Sequence, residues 1–167
     1  IQSLFPKTFY QNVYGTVTVV NEAAEAESLQ NIEVTPFRKE AAYSDKRHPD
    51  YVTFGARLDE DLARRDFTVN ALAYDPAGQQ VVDLFGGQAD LKDKLIRAVN
   101  QPEERFKEDA LRMIRAIRLA SQLDFTISRE TAEAISLHAN LLAQIAVERV
   151  RDEFQKIIMG PNPFMGL

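Results

Sequence analysis

The sequence contains no cysteine and no tryptophan, and its 167 residues include two histidines, His48 and His138. Without cysteine there are no disulfides, thiolate metal ligands or cysteine nucleophiles, and two histidines cannot build a histidine-rich metal cage. Any metal must therefore be held mainly by oxygen. We expect both histidines to be surface residues rather than ligands, since His48 lies in a polar stretch and His138 near a helix end.

Long apolar runs are also absent, and so is a basic-then-apolar start. The apolar runs comprise only a few residues, such as 141–143, whereas a membrane-spanning helix needs about 20. We therefore expect a cytoplasmic globular protein without a membrane partner. The net charge of −5 argues against a broad polyanion-binding surface, although clustered arginines can still form a local phosphate site.

The hydrophobic pattern is strand-like up to about residue 87. β-Branched residues at 15–20 and the alternation of apolar and polar residues at 32–35 predict two strands. The segments 71–74 and 80–84 flank a turn signature, which predicts a hairpin. Residues 38–50 have mixed charge and no periodicity, which predicts an exposed loop.

Three helices are predicted after this point. The first begins at Pro102 and carries an apolar stripe at three- and four-residue spacing, the second follows the N-cap Ser128, and the third ends before Gly160. We therefore predict an α+β fold, with a mixed α/β part in residues 1–87 and an all-α part in residues 88–167.

The first predicted helix carries Asp109, Arg112, Arg115 and Arg118 away from its apolar stripe. On a helix each step of three residues lags by about 60°, so the four side chains wind slowly round the polar surface, with Asp109 and Arg112 on successive turns. Residues 105–118 hold five basic and two acidic residues, in a chain that is acidic as a whole. A solvated helix face with ion pairs is one interpretation.

A nucleotide site is the other interpretation. Cytosine and adenine each present an amino donor beside an unprotonated ring nitrogen, so a carboxylate can accept from the first while a guanidinium donates to the second. Uracil and guanine reverse this pattern and would place like partners opposite each other. One Asp/Arg pair could thus accept C and A, while the remaining arginines face a triphosphate.

A second polar stretch contains Arg64, Arg65 and Asp66, with Asn70 close behind. These side chains could serve a sugar and a phosphate together, or they could belong to a short surface helix that leads into a strand.

Two groups of carboxylates bear on metal binding. Asp59 and Asp61 have an Asp-x-Asp spacing, but they stand among helix formers, and we interpret them as part of a helical first turn. Glu33 points away from its two apolar neighbours in an extended segment, so it could approach a metal or simply be solvated.

Five motifs resemble those of the bacterial CCA-adding tRNA nucleotidyltransferases and the related bacterial poly(A) polymerases. They stand in the family's order at residues 34–38, 43–49, 64–71, 83–87 and 108–112. The resemblance implies an incomplete nucleotidyltransferase head of the DNA polymerase β type, with a mixed sheet, followed by a helical neck.

The resemblance also implies roles for the polar residues. In the neck, Asp109 and Arg112 would read the base of CTP or ATP, and Arg115 and Arg118 would complete the pocket. In the head, Arg65 would contact the nucleotide. The ribose region would be supported by Arg64, Asp66 and Asn70. The connector between the two parts would comprise residues 83–87, and the motif that stiffens the neck would comprise Glu148, Arg149 and Glu153.

The implied activity is template-independent addition of C and A, from CTP and ATP, to the 3′ end of tRNA, with Mg²⁺ as cofactor. The family's glycine-rich segment and its metal-binding Asp-x-Asp pair are missing before the first strand, and Glu33 is the remaining candidate for a metal or catalytic role. We expect the core of a larger enzyme with both ends absent and little catalysis from these residues alone. The alternatives are a poly(A) or A-only enzyme and a non-catalytic nucleotide- or RNA-binding module.

Overall fold

The computed structural model describes residues 1–11, 15–41, 51–55 and 57–166. The strands in these ranges are β1 (Thr8–Gln11), β2 (Thr16–Val20), β3 (Asn31–Val34), β4 (Arg38–Ala41), β5 (Tyr51–Phe54), β6 (Leu72–Asp75), β7 (Gln80–Asp83), β8 (Leu95–Ile96) and β9 (Thr126–Ile127). The helices are α1 (Leu58–Ala63), α2 (Gly87–Lys92), α3 (Pro102–Glu108), α4 (Leu111–Leu123), α5 (Arg129–His138) and α6 (Val147–Ile158). The predicted α+β class is confirmed. His48 and the motif at residues 43–49 lie outside the described residues.

Strands β1, β2 and β3 form an antiparallel sheet with β2 in the centre. Val17 and Val19 of β2 are buried, as expected for the apolar face of a central strand. Glu33 of β3 lies opposite Thr18, on the other face of the sheet from its apolar neighbours, because side chains alternate along a strand.

The predicted loop at residues 38–50 is wrong at its beginning. Arg38–Ala41 forms β4, which pairs antiparallel with β5. The Arg38 N–H also donates to Asp61 of α1 at 3.2 Å, which ties this hairpin to the helix. The sequence pattern of residues 38–41 does not indicate a strand, because the partners of β4, which are β5 and Asp61, lie outside residues 38–50. Residues 42–50 lie outside the described part of the chain.

The hairpin predicted at 71–84 is confirmed as β6 and β7, but the first predicted helix is wrong as a single element. Asp109 has an extended backbone, with φ −143° and ψ 105°, and separates α3 from α4. Its carboxylate accepts a hydrogen bond from the Leu111 N–H at 3.1 Å, since a short acidic side chain competes with the helix for backbone donors. The predicted N-cap Ser128 accepts from the Thr131 N–H, and α6 ends before Gly160, as predicted.

Helix α4 is the centre of the helical part and is buried on two sides. One side packs in a cluster with Phe106 of α3 and Ile157 of α6. The other side, through Ala116 and Ala120, packs against Phe67 and Ile96. Residues from before and after residue 87 therefore share a core, and β8 and β9 form a short parallel pair within it. Among the described residues no helix is long and apolar enough to cross a membrane.

Candidate nucleotide-binding site

A cavity of about 420 Å³ lies between residues 64–70 and helix α4. Its lining comprises Arg64, Arg65, Asp66, Asn70, Arg112 and Arg115. The lining residues comprise four arginines and one aspartate, an excess of three positive charges in a chain with a net charge of −5. The carboxylates of Asp61 and Glu108, which pair with these arginines, reduce that excess. Its volume lies within the range of about 300–1,000 Å³ that is typical of small-molecule sites. An anionic ligand of nucleotide size suits it.

Helix α1 brings the two adjacent arginines to the cavity. Asp61, in the first turn of α1, is almost fully buried and accepts from Arg64 at 2.8 Å and from Arg65 at 3.3 Å. Burial would raise the pKa of Asp61, but the hydrogen bonds from Arg64, from the Arg38 N–H and from Arg65 hold that pKa below its ordinary value. Asp59 and Asp61 thus stand in a helical first turn, as interpreted from the sequence. Asp61 acts as an anchor for arginines.

Asp66 connects the two walls of the cavity. Its Oδ2 lies 2.8 Å from a guanidinium nitrogen of Arg115, on α4, and its Oδ1 accepts from the Phe67 N–H and from the Asn70 side chain at 2.9 and 3.2 Å. Arg65 donates to the Asn70 carbonyl at 2.9 Å. The side chains of Arg65 and Arg115 remain 40% and 37% exposed, so both can also contact a ligand.

Arg112 is the most buried arginine of the cavity, with its side chain 9% exposed. It donates to Glu108 at 2.6 Å and to the carbonyl groups of Arg105 and Arg64, each at 3.2 Å. Glu108 also pairs with Arg105. This set of acceptors holds the Arg112 guanidinium in one orientation, because the planar fork satisfies several acceptors at fixed angles.

Asp109 lies outside the lining of the cavity, three residues before Arg112. Its carboxylate accepts from Arg149 of α6 at 2.8 Å, in addition to the Leu111 N–H. Asp109 and Arg112 are therefore not neighbours on successive turns of one helix, as the spacing predicted, because the helix is interrupted at Asp109. Both side chains are nevertheless buried and held by ion pairs.

Arg118 also lies outside the cavity lining. It pairs at 2.9 Å with Glu153 of α6, which also binds Lys156. The resemblance assigns Arg149 and Glu153 to the motif that stiffens the neck. Arg149 joins α6 to Asp109 and Glu153 joins it to α4, while Glu153 also pairs with Lys156 inside α6. The residues brought together at the cavity are thus Arg64, Arg65, Asp66, Asn70, Arg112 and Arg115, whereas Asp109 and Arg118 belong to the adjoining contact with α6.

The ion pair of Glu108 with Arg112 has a signal in the sequence, since the two residues stand at i,i+4 spacing. The contact of Arg149 with Asp109 has none, because it joins residues 40 positions apart.

The described residues provide no cluster of metal ligands. Among them there is no group of three or more His, Cys, Asp or Glu side chains that could hold a metal ion. Glu33 lies on β3 opposite Thr18, and Asp61 is engaged by arginines. The predicted Mg²⁺ cofactor and the metal or catalytic role of Glu33 stay predictions.

The predicted connector at residues 83–87 contains a carboxylate cap. Asp83 accepts hydrogen bonds from the backbone N–H groups of Phe85, Gly86, Gly87 and Gln88 at 2.9–3.3 Å. Burial would raise the pKa of Asp83, but these four hydrogen bonds lower it below its ordinary value. The carboxylate thereby fixes the start of α2, whose own N-terminal N–H groups have no partner within the helix.

Two family models match the chain. The model described as "Poly A polymerase head domain" matches residues 1–97, and the model described as "Probable RNA and SrmB- binding site of polymerase A" matches residues 124–167. The CCA-adding enzyme of Lactobacillus helveticus (strain DPC 4571) is 50% identical over 163 residues, which are 97% of this chain and 39% of that protein. This chain therefore spans about two fifths of the length of the curated relatives it matches.

Solved structures give the same result. The Bacillus stearothermophilus CCA-adding enzyme in complex with CTP is 42% identical, with a TM-score of 0.80 over 96% of this chain and 37% of that chain. The Thermotoga maritima CCA-adding enzyme complexed with tRNA(CCA) is 25% identical, with a TM-score of 0.75 over 99% of this chain and 36% of that chain. The chain belongs to the family of the poly A polymerase head domain, and its similarity to CCA-adding enzymes extends over nearly its whole length.

Proposed function

We propose that this chain supplies the nucleotide-selecting site of a CCA-adding enzyme, which adds C and A from CTP and ATP to the 3′ end of tRNA without a nucleic-acid template. The observation that carries the proposal is the arginine-lined cavity, bordered by Arg112 with Asp109 three residues away. The names of the similar proteins, including one in complex with CTP and one with tRNA(CCA), support this choice of substrates. The expected cytoplasmic location is part of the same proposal.

The triphosphate binds to the partly exposed arginines in this proposal. Arg65 on the head side and Arg115 on α4 face the cavity from opposite walls, so their forked donors can hold the phosphate oxygens between them. A phosphate that binds Arg115 competes with Asp66, which already pairs with it. Asp66, Asn70 and Arg64, which line the same cavity, hold the ribose in this proposal.

The base extends past Arg112 towards Asp109. Arg112 uses both Nη1 hydrogens and one Nη2 hydrogen on protein acceptors, which leaves Nε–H and one Nη2 hydrogen to donate to a ring nitrogen. Oδ2 of Asp109 accepts one hydrogen bond, from Arg149, and a carboxylate oxygen has room for a second. That oxygen can accept a hydrogen bond from the amino group of cytosine or adenine, but it cannot donate one to the carbonyl group of uracil or guanine.

Binding of the four nucleoside triphosphates to the 167-residue chain, measured by isothermal titration calorimetry, tests the site. We expect CTP and ATP to bind about tenfold or more tightly than UTP and GTP, because a mismatched pair in a buried site costs at least that factor. Asp109→Ala and Arg112→Ala should each abolish this preference.

Asp152→Ala is the matched control, since Asp152 is an exposed aspartate of α6 that pairs with its neighbour Arg151. It should leave the preference unchanged. Equal binding of all four nucleotides to the unaltered chain, or unchanged discrimination against UTP in Asp109→Ala, contradicts the proposed templating.

A poly(A)-adding or A-only enzyme is the second candidate, since the head-domain model carries that family description. The two activities differ in whether C is accepted. Incorporation of CMP and AMP into tRNA lacking its last three nucleotides, by the full-length protein, separates them, because an A-only enzyme refuses CTP. An absence of incorporation of either nucleotide favours a non-catalytic binding module.

A further inference from the structure

A buried hydrogen-bond network contacts the short 3-10 turn at Thr68–Asn70, which forms part of the wall of the nucleotide cavity. Asp90 of α2 is 3% exposed, and its two carboxylate oxygens accept from Arg97 at 2.9 and 2.7 Å. The buried Thr68 hydroxyl donates to the same carboxylate. The carboxylate accepts from the Thr68 hydroxyl and from two Arg97 nitrogens at once, whereas the amide of an asparagine would set an N–H donor against one of those nitrogens.

The backbone around this network is fixed as closely as its side chains. A Cβ atom added to Gly87 would lie 2.3 Å from the Thr68 carbonyl oxygen, so α2 approaches the turn as closely as only a glycine allows. From the other side, the Thr68 N–H donates to the Arg97 carbonyl at 2.9 Å, and the Val99 N–H donates to the Asp66 carbonyl at 3.0 Å. The turn is therefore held between α2 and the segment that follows β8.

The turn determines where three lining residues stand. Asn70 is its last residue; the Asn70 side chain donates to Asp66 and the Asn70 carbonyl accepts from Arg65. Thr68 and Asp90 themselves do not line the cavity. They can influence a ligand only through the turn.

We propose that Thr68 and Asp90 are positioning residues for nucleotide binding, which hold the Asp66–Asn70 wall of the cavity at the spacing that a nucleotide requires. This inference rests on the proposed nucleotide site. The Thr68 hydroxyl is buried beside a charged acceptor. Its removal takes one charge-assisted hydrogen bond from the Asp90 carboxylate, which keeps those from Arg97. The turn then relaxes, and Asp66, Asn70 and Arg65 move together.

The test uses CTP binding to the 167-residue chain, by calorimetry, with thermal unfolding measured in parallel. Thr68→Val keeps the shape of the side chain and removes the donor. We expect it to weaken CTP binding by about three- to tenfold, because only part of the loss of one charge-assisted hydrogen bond reaches the cavity. Thr68→Ser restores the donor and should bind CTP within about twofold of the unaltered chain.

Ser121→Ala is the control for a merely structural effect. Ser121 is fully buried in α4, and its hydroxyl donates to the Asn162 carbonyl at 2.6 Å, away from the cavity. This variant should lose stability without losing affinity for CTP. If Thr68→Val does not fold, Asp90→Asn replaces it, because the amide keeps one acceptor oxygen while losing the charge.

The outcomes distinguish a failure of the positioning role from a failure of the nucleotide site. Weaker CTP binding in Thr68→Val or Asp90→Asn, with Thr68→Ser and Ser121→Ala close to the unaltered chain, supports positioning. Unchanged CTP affinity in folded Thr68→Val or Asp90→Asn, or an equal loss in Ser121→Ala, overturns it while the nucleotide site stands. If the unaltered chain itself binds no CTP, the proposed site fails and this inference fails with it.

Discussion

The ion pair between Glu153 and Arg118 offers a direct test of how α6 is attached to α4. Both side chains are largely buried, at 10% and 16% exposure, and their closest atoms lie 2.9 Å apart. Glu153→Ala removes the acceptor of both Arg118 and Lys156. The substitution leaves the largely buried guanidinium of Arg118 without its negatively charged partner.

Breaking a buried pair by removing one partner costs about 3–5 kcal/mol, because the remaining charge is neither solvated nor paired. Arg118 keeps some contact with solvent and Lys156 is half exposed, so we expect a loss near the lower end, about 3 kcal/mol. For a chain of this size each kcal/mol lowers the melting temperature by about 2–4 °C, which gives a decrease of about 6–12 °C.

The assay is thermal and urea unfolding followed by circular dichroism. Glu148→Ala is the matched control, since Glu148 is an exposed glutamate in the first turn of the same helix. Loss of a charge there costs about 0.3–1 kcal/mol, well below the loss expected for Glu153→Ala. In the double variant Glu153→Ala/Arg118→Ala the unpaired guanidinium is gone, so the loss should be smaller than the sum of the two single losses. Equal stability of Glu153→Ala and Glu148→Ala would refute the reasoning.

Two further predictions concern the connector between the two parts of the chain. Because the folded-state pKa of Asp83 is lowered, its contribution to stability is fully present above its unfolded pKa of about 4 and is lost as the pH falls through the folded value. Urea unfolding should thus show that Asp83→Asn has a lower free energy of unfolding than the unaltered chain at neutral pH, and that this difference disappears in acid. A difference that is constant with pH would contradict the capping role. Gly87→Ala should lower the free energy of unfolding by about 3 kcal/mol, since the new Cβ would lie 2.3 Å from the Thr68 carbonyl oxygen. Gly55→Ala, at φ +79° in open space, should cost only about 1 kcal/mol from backbone strain, and equal losses would argue against the close approach at Gly87.

The local elements could be predicted where one segment contains its own partners. The hairpin at 71–84 was visible because both strands and the turn are contiguous, and the N-cap Ser128 binds a backbone group three residues away. Strand β4 was missed because it is defined by pairing with β5 across residues 42–50. The break at Asp109 was missed because the apolar spacing continues through it, and periodicity does not register one extended residue.

The chemistry of the candidate site could likewise be predicted from the sequence, whereas the arrangement of its residues could not. The sequence by itself determined the α+β class, the resemblance to a nucleotidyltransferase, and the choice of arginine, aspartate and asparagine side chains whose chemistry suits a nucleotide. Only the tertiary structure decided which of these share a cavity: Arg64, Arg65, Asp66 and Asn70 meet Arg112 and Arg115 there. It also decided that Arg118 turns to Glu153 and Asp109 to Arg149, across 35 and 40 residues. The physical reason is that the charge of a side chain is a local property, whereas its partner depends on how helices from distant parts of the chain pack.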